Sequence, residues 1–223
     1  MRTVLVTGGA SGLGAAVVEA VAKEGDRPVV LDRVPVEVDH RVVDLADGRA
    51  AEAAVRDVSA TYGGLDAVVT CAGIDSCGRL DQVPAADWER VIAVNLLGTA
   101  AVIRAALPDL KRRRGRVVTV SSTLGLRGVS DATAYCASKF GVVGFTRALA
   151  AETQGEVGVT LLIPGGMATP FFDGRPEQYQ PPPDATLNRP EDVAAAVMFA
   201  LKQPPGCEVR ELLITPSVEG SWP

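Results

Sequence analysis

The chain has 223 residues, 47% of them hydrophobic and 4% aromatic, with a formal net charge of -5. That length suits one α/β unit with a sizeable Val, Leu and Ala core, and the acidic balance speaks against nucleic acid or an anionic membrane as partner, since both need a basic surface. Cys71, Cys77, Cys136 and Cys207 share no Cys-x-x-Cys spacing and His40 is the only histidine, so neither a metal site nor a Ser/His/Asp or Cys/His pair is expected.

In chain order, Thr3 to Thr7 is an apolar run that breaks into Gly8-Gly9-Ala10-Ser11-Gly12-Leu13-Gly14 and then an alanine-rich helical pattern to Lys23. This reads as strand, tight turn and helix: Gly8 turns the chain, Gly12 presents bare backbone to a diphosphate, and Gly14 lets the helix lie close to the strand. The helix start aims unpaired N–H groups and its positive dipole end at that phosphate. No charged-then-apolar leader precedes the strand and no apolar run reads as long enough to span a bilayer, so a soluble, reduced, cytoplasmic protein is expected. Asp32 closes a second strand, Pro28 to Leu31, roughly 20 residues past the turn, where a carboxylate accepts hydrogen bonds from an adenosine ribose. Asp32 favours NAD, while the guanidinium of Arg33 could pair with an extra phosphate and keeps NADP open.

Arg33 to Asp39 is too short and too β-branched for a crossover helix and contains Pro35, so the strand His40 to Val43 follows without one. Asp47 is expected to cap a helix from Gly48 to Tyr62 that Gly63-Gly64 ends. A buried strand, Leu65 to Thr70, leads into Cys71-Ala72-Gly73, small residues where the backbone must lie close to something. Asp87 is expected to cap a helix to about Leu107 with Asn95 in its middle, where propensity disfavours it. The basic run Lys111 to Arg116 reads as a solvated loop.

Arg116 to Ser121 is the next strand, ending at Ser122. The helix Asp131 to Ala151 carries Tyr135 and Lys139 four apart on one face and is apolar nearly all round, which suggests a subunit interface and a homo-oligomer. A strand from Val159 to Ile163 runs into Pro164-Gly165-Gly166-Met167-Ala168-Thr169. Residues 170–190 then form a loop or lid, and a helix Glu191 to Leu201 and a strand Glu211 to Ile214 close the chain. The alternation predicts one α/β domain over residues 1–223, a doubly wound parallel sheet of about seven strands with helices on both faces.

The chemistry follows from the residue types. A tyrosine hydroxyl has a reference pKa of about 10, and the Lys139 ammonium would bring Tyr135 towards useful acid/base strength. Ser122, at a strand's carboxyl end, could hold a substrate oxygen as charge develops on it, and hydride would pass between the substrate carbon and a nicotinamide.

At these residues the sequence resembles the short-chain dehydrogenase/reductase family over nearly the whole chain. Thr7-Gly8-Gly9-Ala10-Ser11-Gly12-Leu13-Gly14 matches its cofactor turn; Asn95, Ser122, Tyr135 and Lys139 match its catalytic tetrad, with Ser122 and Tyr135 thirteen apart. The resemblance implies a Rossmann fold, with Tyr135 as the acid/base, Lys139 also on the nicotinamide ribose, and Asn95 holding a water in a proton relay. It further implies Asp44, beside Leu45, at the adenine, Cys71-Ala72-Gly73 at the cofactor, and Pro164-Gly165 with Met167 and Thr169 at the nicotinamide amide. Thr70-Cys71-Ala72-Gly73 departs from the family's Asn-Asn-Ala-Gly, the helix before Asp44 is missing, and the substrate loop is short. The implied activity is interconversion of a secondary alcohol and a ketone by an NAD(P)-dependent dimer or tetramer. The rival reading is a regulatory or scaffold protein that binds NAD(H) without chemistry.

Overall fold

In the computed structural model, which describes residues 1–220, seven strands form one sheet. They are β1 (Thr3–Thr7), β2 (Arg27–Asp32), β3 (His40–Val42), β4 (Ala67–Thr70), β5 (Arg116–Val120), β6 (Gly158–Pro164) and β7 (Glu211–Ile214). All pairs are parallel, in the order β3-β2-β1-β4-β5-β6-β7.

The central strands are runs of Val, Leu and Ile because both of their faces are covered. On β1, Val4 and Val6 point to one side, where α1 (Gly12–Lys23) and α6 (Pro190–Leu201) bury them with Val30, Val69 and Leu162. Leu5 points to the other, joining Leu31, Val68 and Val117 beneath α2 (Gly48–Tyr62), α4 (Thr99–Arg113) and α5 (Thr133–Glu152). The period of two thus divides the strand residues between two cores, and each buried Val or Leu contributes about 2 kcal/mol. Strand order reverses between β1 and β4, which opens a crevice at their carboxyl ends.

No helix separates β2 from β3, as the length of Arg33 to Asp39 predicted, and Asp47 caps α2 by accepting from the Arg49 and Ala50 amides at 3.0 Å each. Four expectations are corrected. Asp87 does not cap its helix: Pro84 stands at the N-cap of α3 (Ala85–Ile92), whose first turn holds Asp87 for its charge at the dipole's positive end. The helix also runs past Pro108 to Arg113, since Ala106 and Leu110 are fully buried and their packing outweighs the proline's lost bond. Lys111, Arg112 and Arg113 therefore form the last turn of α4, with ion pairs to Glu156, Asp109 and Asp66. Finally, the continuous helical stretch Ala85–Arg113 is long and apolar enough to cross a membrane by length and composition; here 50% of its apolar window is buried inside the fold.

Candidate active site

The crevice at the switch point is a cleft of about 710 Å3. β1 delivers the glycine turn to its floor. Gly8 has φ +69°, and a Cβ on it would lie 2.8 Å from the Ala72 backbone. A Cβ on Gly14 would lie 2.0 Å from the Gly8 carbonyl oxygen, so only glycine lets α1 start this close to the strand. Ser11, the N-cap residue, makes no side-chain capping bond, which leaves the amides of the first turn of α1 aimed into the cleft beside Gly12 and Leu13.

At the far end of β2, Asp32 braces that turn: its carboxylate accepts from the Ala10 amide at 3.0 Å and from the Arg33 and Val34 amides at 2.6 and 3.2 Å. Arg33 is exposed on the rim. Asp44 and Leu45 line the same end, where the Arg90 guanidinium of α3 bonds Asp44 at 2.6 Å and holds its carboxyl below the usual range. Cys71, Ala72 and Gly73 leave β4 at the middle of the cleft. Burial pushes the Cys71 thiol up to about 12, so it stays protonated. Thr7 Oγ1 accepts from the Ala72 amide at 3.2 Å, while Thr70 Oγ1, where the family has asparagine, is buried without a hydrogen bond among the described residues.

Asn95 interrupts the long helix. Residues Ala93–Gly98 form a π-helical turn between α3 and α4, a local distortion that turns the amide inward. Its Nδ2 donates to the Ile74 carbonyl at 2.8 Å and to Ser138 Oγ at 3.0 Å, and its Oδ1 accepts from the Ile74 amide at 2.8 Å. Asn95 thus pairs with the backbone beyond Gly73 as a neighbouring strand would, and it stands behind the cleft wall.

Ser122 leaves β5 nearly buried, its Oγ accepting from the Leu124 amide at 3.1 Å. Tyr135 and Lys139 project from α5, which Ser121 ties to the strand end by donating to the Lys139 carbonyl at 2.9 Å. Lys139 Nζ donates to the Val120 carbonyl at 3.0 Å and lies 5.6 Å from the centre of the Tyr135 ring. Burial lowers Lys139 to about 8. Burial also raises Tyr135, opposed by a side-chain hydrogen bond with Ser122; the Asp75 carboxylate raises it further and the Arg175 guanidinium lowers it. Lys139 therefore faces the Val120 carbonyl and the Tyr135 ring, while Arg175 and Asp75 bear on the phenol with opposing effects. Pro164, Gly165, Met167 and Thr169 follow β6 and close the remaining side.

The cleft thus gathers all the residues expected to hold a cofactor, and all of the tetrad but Asn95. A model of the short chain dehydrogenase family matches residues 2–180. This chain belongs to that family. The dehydrogenase is 32% identical to the mouse L-fucose dehydrogenase over 98% of its own length and 88% of the relative's. It is also 32% identical to the 3-oxoacyl-(acyl-carrier-protein) reductase of Thermotoga maritima, over 89% of each chain. An alcohol dehydrogenase from Thermococcus sibiricus, solved with 5-hydroxy-NADP, superposes with a TM-score of 0.86 at 26% identity, covering 96% of this chain and 95% of that one. The family's fold and its oxidoreductase class hold for this protein.

The cleft fits a dinucleotide on its own features: bare glycine backbone, unpaired helix-start amides and room of the right order. Sequence reading missed Ile74, Asp75, Arg90, Ser138, Phe171, Phe172, Arg175 and Glu219. Ser138 Oγ bridges the Tyr135 carbonyl at 2.8 Å to Asn95, and Arg90 meets Asp44 across 46 residues of chain. Only the place of Ser138 between Tyr135 and Lys139 could have signalled it.

Proposed function

We propose that the dehydrogenase interconverts a secondary alcohol and a ketone, with NAD ahead of NADP, and that Ser122, Tyr135, Lys139 and Asn95 carry the reaction. The juxtaposition of Tyr135 with Ser122 on the wall of a dinucleotide-sized cleft is the observation that carries this reading. A nicotinamide bound there supplies the hydride acceptor or donor. Tyr135 takes the proton of the alcohol oxygen in oxidation and returns it in reduction, while Ser122 Oγ hydrogen-bonds the same oxygen as its charge changes. Lys139 Nζ and Asn95 Oδ1 both border Gly73: a Cβ there would meet them at 3.5 and 3.7 Å. The missing side chain supports a water held between them, on the second lone pair of Oδ1, which would pass the proton from Tyr135 to solvent.

The preference for NAD is supported by Asp32, whose carboxylate repels a ribose phosphate, and is tempered by Arg33 and Arg90 at the open adenosine end. A homo-oligomer is supported by exposed Leu97 and Phe140, on two elements that pack together. The test is a panel of alcohols and ketones run with NAD and NADP side by side on wild type and Tyr135→Phe. Turnover should vanish in the variant while NADH still binds. A variant as active as wild type would remove Tyr135 from the mechanism, and tight NADH binding with no turnover of any compound would favour the regulatory reading.

A further inference from the structure

Beyond Tyr135 the loop after β6 folds back over the cleft. The Phe171 ring lies 5.5 Å from that of Tyr135, and the Arg175 guanidinium stacks 4.5 and 4.8 Å from the Phe171 and Phe172 rings. Arg175 Nη2 stands 3.2 Å from Asp75 Oδ2, with side chains 15% and 6% exposed. The contact lacks hydrogen-bond alignment, and Arg175 Nη2 is buried without a hydrogen-bond partner among the described residues. Asp75 accepts from the Ser76 amide at 2.7 Å and from the Cys77 thiol at 3.2 Å, which leaves it acceptor capacity. A buried ion pair with a donor nitrogen left unsatisfied is costly, and stability alone gives no reason to keep one in the wall of a cleft.

Resting on the alcohol and ketone reading above, we infer that Arg175 and Asp75 select the substrate, and that it is an uncharged vicinal diol or the matching α-hydroxy ketone. A hydroxyl is donor and acceptor at once, so one hydroxyl beside the reacting carbon accepts from Arg175 and donates to Asp75, completing both. Charge points the same way. Asp75 already neutralises Arg175, and the exposed Asp173 lines the same part of the cleft, so a carboxylate-bearing substrate would meet repulsion. The Phe171 and Phe172 rings cover the carbon skeleton. In oxidation the reacting carbinol gives its O–H proton to Tyr135 and its C–H hydride to the oxidised nicotinamide, and the second hydroxyl is unchanged.

The test compares kcat/KM for both 1,2-cyclohexanediol diastereomers, cyclohexanol and 3-hydroxycyclohexanecarboxylate in wild type, Arg175→Met and Asp75→Ala, with NADH binding by fluorescence as the measure of an intact cleft. At least one diol should exceed cyclohexanol by about tenfold or more in wild type, and that ratio should collapse towards one in both variants. A wild-type ratio near one, a preference for the carboxylate, or a ratio preserved in both variants would overturn the inference while leaving the oxidoreductase reading standing. If no alcohol or ketone turns over although NADH binds, the broader reading fails and this one falls with it.

Discussion

Replacing Asn95 by Ala separates the structural duty of this side chain from any part in proton transfer. The amide is 1% exposed and makes three hydrogen bonds, two to the backbone of Ile74 and one to Ser138 Oγ. Alanine leaves the Ile74 N–H and carbonyl without their partner. Ile74 is half-buried, so water recovers part of the loss, and about 1 kcal/mol for each of the two groups is appropriate. The Ser138 bond and the emptied volume add about 1 kcal/mol more, for a total of about 3 kcal/mol. In a chain of this size that lowers Tm by about 10 °C. Differential scanning calorimetry of wild type and Asn95→Ala, each with and without saturating NADH, measures it. A Tm within about 2 °C of wild type would refute the claim that Asn95 braces Ile74, and would assign the residue to the reaction alone.

Three further outcomes follow from the same geometry. Gly14→Ala should cost about 3 kcal/mol and weaken NADH binding, because the new Cβ meets the Gly8 carbonyl; Gly144→Ala, where a Cβ meets nothing within 4 Å, should instead gain about 0.5 kcal/mol or more in urea titrations. Asp109→Ala should lose about 2 to 4 kcal/mol, since Asp109 accepts from Ser59, Leu65 and Arg112. Burial pushes its carboxyl up, but the bonds from Ser59, Arg112 and Leu65 hold it below the usual range. The wild-type advantage is therefore full above about pH 4 and shrinks as the pH falls further, which acid titrations of both proteins would reveal. Initial rates in the two directions should diverge with pH. Burial keeps the Tyr135 phenol protonated near neutrality, so ketone reduction, which uses the phenol as acid, should hold steady there, while alcohol oxidation, which needs the phenolate, climbs with pH. Parallel profiles in both directions would refute it.

Much of this protein was legible in one dimension because its signals are local. A strand breaking into Gly8, Gly12 and Gly14 needs glycine for reasons of the turn itself, and the run from Arg33 to Asp39 is too short for a helix whatever surrounds it. The period of two along β1 and the spacing of Tyr135 and Lys139 likewise depend only on backbone geometry. What folding alone decided depends on partners far along the chain. The π turn at Asn95 exists because Ile74 offers an unpaired backbone edge 21 residues away, and the helix persists through Pro108 because a sheet lies under Ala106 and Leu110. Lys139 turns to the Val120 carbonyl, and Arg175, 40 residues on from Tyr135, stacks on the Phe171 ring that lies against that tyrosine. Local preference is written residue by residue, but the field and the hydrogen bonds at a buried atom are set by whichever distant segments the fold packs against it.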